Sequence, residues 1–169
     1  MMVIKEGDEM TGDIVQFRSD DFIFVAELTN CKAKELKEEE EYEADLTFFC
    51  HQVIGVYKNE EEFHKENENM ASESYIPVGA FPANPDDQNF RPSAFNYINS
   101  IVKRMEPNEK HGAPDNYIMF VGKIYNKELD EILYYPTIEE KDDVQEGYIV
   151  SGMFWIELDI INKEGNEVC

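Results

Sequence analysis

Cysteine is scarce in this chain: Cys31, Cys50 and Cys169 are all that 169 residues contain. An odd number without CxxC spacing argues against a disulfide framework and against a zinc knuckle. Cys50 sits in an apolar run and reads as a small buried side chain, and Cys169 is not the first residue of a prenylation box. Positive charge is scarce as well, with 15 Lys and Arg against 37 Asp and Glu, a net charge of −22. Such a field repels nucleic-acid phosphates and anionic lipid surfaces, so neither is an expected partner, whereas a basic protein is attracted. No apolar run approaches membrane-spanning length. MMVIKEGDEM carries acids and no apolar core, unlike a signal peptide, and no N-x-S/T sequon occurs. A cytoplasmic protein is the expectation.

The motifs of common catalysts are missing too. There is no G-x-S-x-G, no cysteine in a recognisable family context, and neither GxxxxGK[ST] nor GxGxxG. His51, His64 and His111 have no HExxH, Cys/His or facial-triad spacing. Glu61-Glu62-Phe63-His64 holds one Glu-x-x-His, where a di-iron carboxylate site needs two. Asp86-Asp87 and Asp142-Asp143 lack the alternating oxygens, central Gly and closing Glu of a calcium loop, and turn and capping roles suit them better. No cofactor, no metal and no catalytic residue is expected, and the reading is non-enzymatic.

What is present is a chain rich enough in apolar residues to pack a core. Its 42% hydrophobic content and twenty-one aromatics argue against global disorder. The clearest pattern is YIVSGMFWIELDI, residues 148–160. Tyr148, Val150, Gly152, Phe154, Ile156, Leu158 and Ile160 repeat every second residue, which belongs to a strand and not to a helix. Gly152 in its middle predicts a bend or bulge.

Strand patterns recur upstream. Residues 13–17 and 22–26 flank Ser19-Asp20-Asp21 as a hairpin. KAKELKEEEE, residues 32–41, favours helix but offers only Ala33 and Leu36 to a core, so a short solvated helix or mobile loop is expected. Tyr42, Ala44, Leu46, Phe48 and Cys50 alternate, with a phase slip near His51 that predicts a bulge. Asn59 is placed to cap a helix over 60–70 with acids in its first turn, and Phe63 and Met70 share one face. Four prolines and Gly79 break up residues 72–92, leaving Tyr75 to Phe81 as an edge strand at most. Phe95, Tyr97, Asn99, Ile101 and Met105 alternate over 93–105, and 117–125 and 129–135 add two more strands. The fold class is therefore mainly β with one or two short helices, an antiparallel OB-like barrel or strongly coiled sheet. One domain is expected, with a possible seam at 72–92 between an N-terminal β/helix half and a C-terminal OB-like half.

The succession SYIPVGAF, RPSAFNYINSIVKRMEPN, NYIMFVGKIYN and EGYIVSGMFWIEL resembles a group of uncharacterised bacterial proteins over residues 74–161. The matching residues are Pro92, Ser93, Ala94, Asn108, Gly152, Phe154 and Trp155. Asn99 or Ser100 stands where that pattern has glycine. The resemblance implies an OB-like barrel and carries no activity.

OB barrels that bind single strands set aromatics within a basic groove. Phe95, Tyr97, Tyr117, Phe120 and Tyr125 supply aromatics, but Lys103, Arg104, Lys110 and Lys123 are few cations against −22. Residues 35–73, by contrast, hold thirteen acids and three lysines. Clustered carboxylates steer a basic partner into encounter and favour association rate and specificity. The expected partner-binding residues are Glu38, Glu39, Glu40, Glu41 and Glu43, followed by Glu60, Glu61 and Glu62. Immunity proteins against nuclease toxins and proteins that mimic DNA have the same size and charge, by analogy alone. The alternative is a barrel that binds a small molecule or peptide in an aromatic-lined pocket, with incidental acidity.

Overall fold

The computed structural model describes residues 2–7, 12–19, 22–36, 41–82, 84, 86, 89–107, 117–125, 127–136 and 144–161. Among them are nine strands and one α-helix. These are β1 (Met2–Lys5), β2 (Asp13–Ser19), β3 (Phe22–Leu28), β4 (Glu43–Tyr57), α1 (Glu60–Glu66), β5 (Ser74–Ile76), β6 (Phe95–Glu106), β7 (Tyr117–Ile124), β8 (Lys127–Pro136) and β9 (Ile149–Ile161). The chain is mainly β, as its alternating patterns require. It divides into two compact units, one made of Met1–Thr47, Pro77–Asn96 and Trp155–Cys169, the other of Phe48–Ile76 and Tyr97–Phe154.

In the first unit β2 and β3 form the expected antiparallel hairpin, in unbroken register from Asp13↔Leu28 to Ser19↔Phe22. β1, too short for its period to be read from sequence, adds to β2. β3 then pairs in parallel with β9 at Glu27↔Glu157 and Leu28↔Leu158. The Asn30 side chain prolongs that ladder, donating to Ile160 O at 2.8 Å and accepting from Ile160 N at 3.1 Å. Ile14, Val25, Ala80 and Ala94 form an apolar cluster against which Trp155 packs. The buried Asp13 carboxylate accepts from Gly7 N at 2.8 Å and Ala33 N at 2.7 Å, which ties a 3-10 turn (Ala33–Glu35) to the start of β2.

In the second unit the strand order runs β9-β4-β8-β7-β6, and an additional β9–β6 pairing returns it on itself. Closing such a circuit requires a strongly curled sheet. β4 and β8 pair in parallel, β7 antiparallel to both β6 and β8, so the sheet is mixed. β6 is shared along its length: β7 pairs with its residues 101–106 and β5 with residues 97–99. A Cβ on Gly152 would come within 2.6 Å of Cys50 Sγ and 3.2 Å of Gln52 O. The glycine in β9 is thus explained by the close approach of β4.

Several expectations need revision. α1 ends at Glu66, four residues short of Met70, because Asn67 closes it: its backbone N–H and its Nδ2 both donate to Phe63 O, at 2.9 and 3.1 Å. Met70 still packs against the cluster of Tyr57, Phe63 and Ile149, as does Ile101. β5 stops at Ile76, before Pro77, and does not extend to Phe81. β4, by contrast, runs on through His51 to Tyr57 as one strand whose alternation of burial breaks at the adjacent exposed residues His51 and Gln52, where the phase slip was expected. In β6 the buried Asn96, Ile98, Ser100 and Val102 alternate with half-buried Phe95, Tyr97 and Ile101, while Asn99, between Tyr97 and Ile101 in the alternation, is fully buried as well. Small polar side chains can take the tighter face because backbone carbonyls meet them there: Asn96 Nδ2 donates to Val25 O at 3.0 Å and Ser100 Oγ to Lys123 O at 3.2 Å. Burial follows hydrogen-bond satisfaction here as well as hydropathy.

Candidate functional site

The acids of α1 lie where helix formation wants them. The first turn of a helix exposes unpaired N–H groups and a partial positive charge, which carboxylates stabilise. Asn59 Oδ1 accepts from Glu62 N at 2.9 Å, and the Glu62 carboxylate accepts from Lys58 N at 2.9 Å. Glu60 Oε1 accepts from the buried Ser72 hydroxyl at 2.9 Å. Glu61, whose side chain is 83% exposed, pairs with Lys65 one turn on at 3.0 Å. The Glu-x-x-His spacing therefore leads to Lys65 and not to His64, whose ring meets Phe63 edge to face. Glu60, Glu61 and Glu62 are brought together in one turn, and each has a local partner.

Glu41 and Glu43 belong to the other compact unit, at the approach to β4 and at its first residue. Both are exposed, as are Ala44 and Asp45, so the opening of β4 shows both of its faces to solvent. Glu38, Glu39 and Glu40 lie outside the described residues, as do His111, Asp87, Asp142, Asp143 and Asn108. Asp86 is described: its N–H donates to Asn84 Oδ1 at 3.1 Å, a local turn contact.

Cys50 illustrates why a nucleophile needs more than a thiol. Burial pushes its pKa up to about 12, only partly offset by a backbone hydrogen bond at Gln52. A thiol held neutral at physiological pH is a poor nucleophile. Folded protein is expected to leave Cys50 unlabelled by a thiol-specific reagent near pH 8, with reaction only after denaturation; peptide mapping of the labelled protein checks this. Because the folded value lies above the ordinary 9.0, the unfolded thiol ionises first as pH rises. The stability that Cys50 contributes is thus complete below pH 9 and lost towards pH 12. Among the described residues no group of three or more His, Cys, Asp or Glu side chains is arranged to hold a metal ion.

A polar constellation that sequence reading missed lies in the second unit. Asn99, fully buried, donates through Nδ2 to Ala71 O at 3.0 Å and to Ser74 Oγ at 2.9 Å, and its Oδ1 accepts from Ser151 Oγ at 2.5 Å. It ties β5, β6 and β9 together. The signal available was Asn and Ser inside strand-forming stretches, where each needs a specified partner. Nearby, Lys123 Nζ pairs with Glu73 at 3.1 Å and Arg104 Nε with Glu106 at 2.6 Å. Two of the four cations that an oligonucleotide groove would need are thereby engaged within the fold.

No family model, curated protein or solved structure matches this chain.

Proposed function

We propose that this chain is a non-enzymatic, cytoplasmic acidic binding protein that captures a basic protein partner. The observation that carries the reading is the charge imbalance, −22 overall, with thirteen acids against three lysines in residues 35–73. Supporting it are the exposed carboxylates of Glu41, Glu43 and Asp45 at the opening of β4 and the exposed Glu61 of α1. The engagement of Lys123 and Arg104 by Glu73 and Glu106 weighs against a nucleic-acid partner, since phosphate contacts need free cations. Carboxylates used this way act at long range: they speed encounter more than they slow escape. The OB-like resemblance adds only an expected scaffold.

Replacing Glu38, Glu39, Glu40 and Glu41 by Gln is the decisive experiment. Four adjacent like charges repel one another, so stability should be unchanged or rise by a few tenths of a kcal/mol (~0.3). Association with a basic partner, recovered by low-salt pull-down from the native host, should slow and lose much of its salt dependence. Dissociation should change little. Stopped-flow association across salt concentrations reads both. A variant that binds as fast as wild type at every salt concentration reduces these glutamates to a solvated surface.

A further inference from the structure

Ile124 of β7 pairs with Lys127 of β8, so the connection between the strands is two residues long and begins at Tyr125. Two-residue hairpin loops favour positive φ at the first central residue, where Asn, Asp and Gly are at least cost. Here that residue is Tyr125, φ 49°, alone among the described non-glycine residues in having positive φ. Burial does not explain it, because the residue is 53% exposed. Its hydroxyl does. The Tyr125 oxygen accepts from Tyr75 N at 3.1 Å and donates to Tyr75 O at 3.0 Å.

Tyr75 is the central residue of β5, which has β6 as its strand neighbour and ends the strand order. In an antiparallel pair a residue exchanges both backbone bonds with its opposite number or neither. Tyr75 stands opposite Ile98. Its backbone groups reach Tyr125, so they face the outer edge of β5. One phenol thus engages the donor and the acceptor that an added strand would use.

We infer that Tyr125 is an edge plug, whose hydroxyl keeps β5 from pairing with β5 of a second copy of this chain. The second copy is the fitting occupant because one N–H and one C=O of the same residue are their own complement across a twofold axis. Ile76, 43% exposed beside Tyr75, would be covered by such a pairing. Pro77 has no N–H and keeps the ladder short. A charge of −22 on each copy opposes the encounter, so the pairing emerges when the plug is absent and salt screens the charge.

The test is Tyr125→Phe, which retains the ring and removes the hydroxyl, with Tyr125→Asn as a second variant whose side chain suits the turn and lacks the phenol. Tyr97→Phe is the control, since among the described residues the Tyr97 hydroxyl has Met70 Sδ as its one hydrogen-bond partner, at 3.7 Å. In dilute solution the Tyr75 amide of both Tyr125 variants should exchange about tenfold faster than in wild type. At high salt their weight-average mass by sedimentation should climb with concentration towards twice the dilute value, with Tyr75 protection returning. Wild type and Tyr97→Phe should show neither change. A mass in both variants that follows wild type at every concentration overturns the inference. So does a mass that climbs while the Tyr75 amide stays unprotected, because the copies then meet elsewhere.

Discussion

Phe154→Ala should cost ~3–5 kcal/mol, the largest single loss expected from β9. Phe154 is fully buried, and Val150, Ile156, Leu158 and Ile160 line the same buried side of the strand. Truncation removes a large transfer contribution and leaves a cavity that neighbouring strands cannot close without moving. Glu157→Ala is the contrast. Glu157 is half-buried and stands opposite Glu27 across the parallel pair, a register that sets two acids side by side. Glu27 is engaged elsewhere as well, accepting from Gly12 N at 2.7 Å and from Trp155 Nε1 at 3.0 Å. Removing Glu157 should therefore change stability by about 0.5 kcal/mol at most. Urea midpoints measured at constant m-value give both numbers, and equal small losses would overturn the assignment of β9 faces.

β9 was legible because its pattern and its environment agree. Every second residue from Val150 to Ile160 is apolar or glycine, and every one of them is buried. The β2–β3 hairpin was legible for a similar reason, with two β-rich runs around polar turn residues. β6 was legible as a strand but not in which polar residues it buries. Its Asn96, Asn99 and Ser100 are fully buried because carbonyls and hydroxyls from distant strands meet them. Such partners are 25 to 71 residues away in the cases of Ser74 and Val25, and no local window contains them. The parallel pairing of β3 with β9 and of β4 with β8 is equally non-local.

The acidic residues were legible as charge and illegible as chemistry. Composition locates the thirteen acids of 35–73, yet it does not say which carboxylates are already in use. Glu60, Glu61 and Glu62 serve Ser72, Lys65 and Lys58 N, so only part of their charge is available to a partner at contact. For Glu60 and Glu62 the field at a distance survives, because a hydrogen bond from a neutral donor leaves the carboxylate's charge in place, whereas Lys65 offsets that of Glu61. With the basic partner proposed above, association rate is the property in which the α1 acids should count, more than the lifetime of the complex.

Asn99→Ala should be the costliest polar substitution in the second unit, by about 3 kcal/mol. The side chain connects Ala71 O and Ser74 Oγ on one side to Ser151 Oγ on the other. Its loss takes away three hydrogen bonds and leaves a void at a fully buried position of β6. Ser151→Ala, which removes one hydroxyl and its 2.5 Å bond to Asn99, should cost about 1–2 kcal/mol. Because the two residues share that bond, their effects should not add. The double variant should fall short of the summed losses by about 1 kcal/mol or more. Asn99→Asp is a sharper probe: a carboxylate keeps the shape and can still accept from Ser151, but loses the donor that reaches Ala71 and Ser74 and adds a buried charge. Its stability should recover as pH falls and the carboxyl protonates, since the folded environment raises that group's pKa above the unfolded value. Denaturation of the single, double and Asp variants at two pH values separates these outcomes. Strict additivity of Asn99→Ala and Ser151→Ala, with a pH-independent Asp variant, would mean that β5, β6 and β9 are held together by apolar packing and not through Asn99.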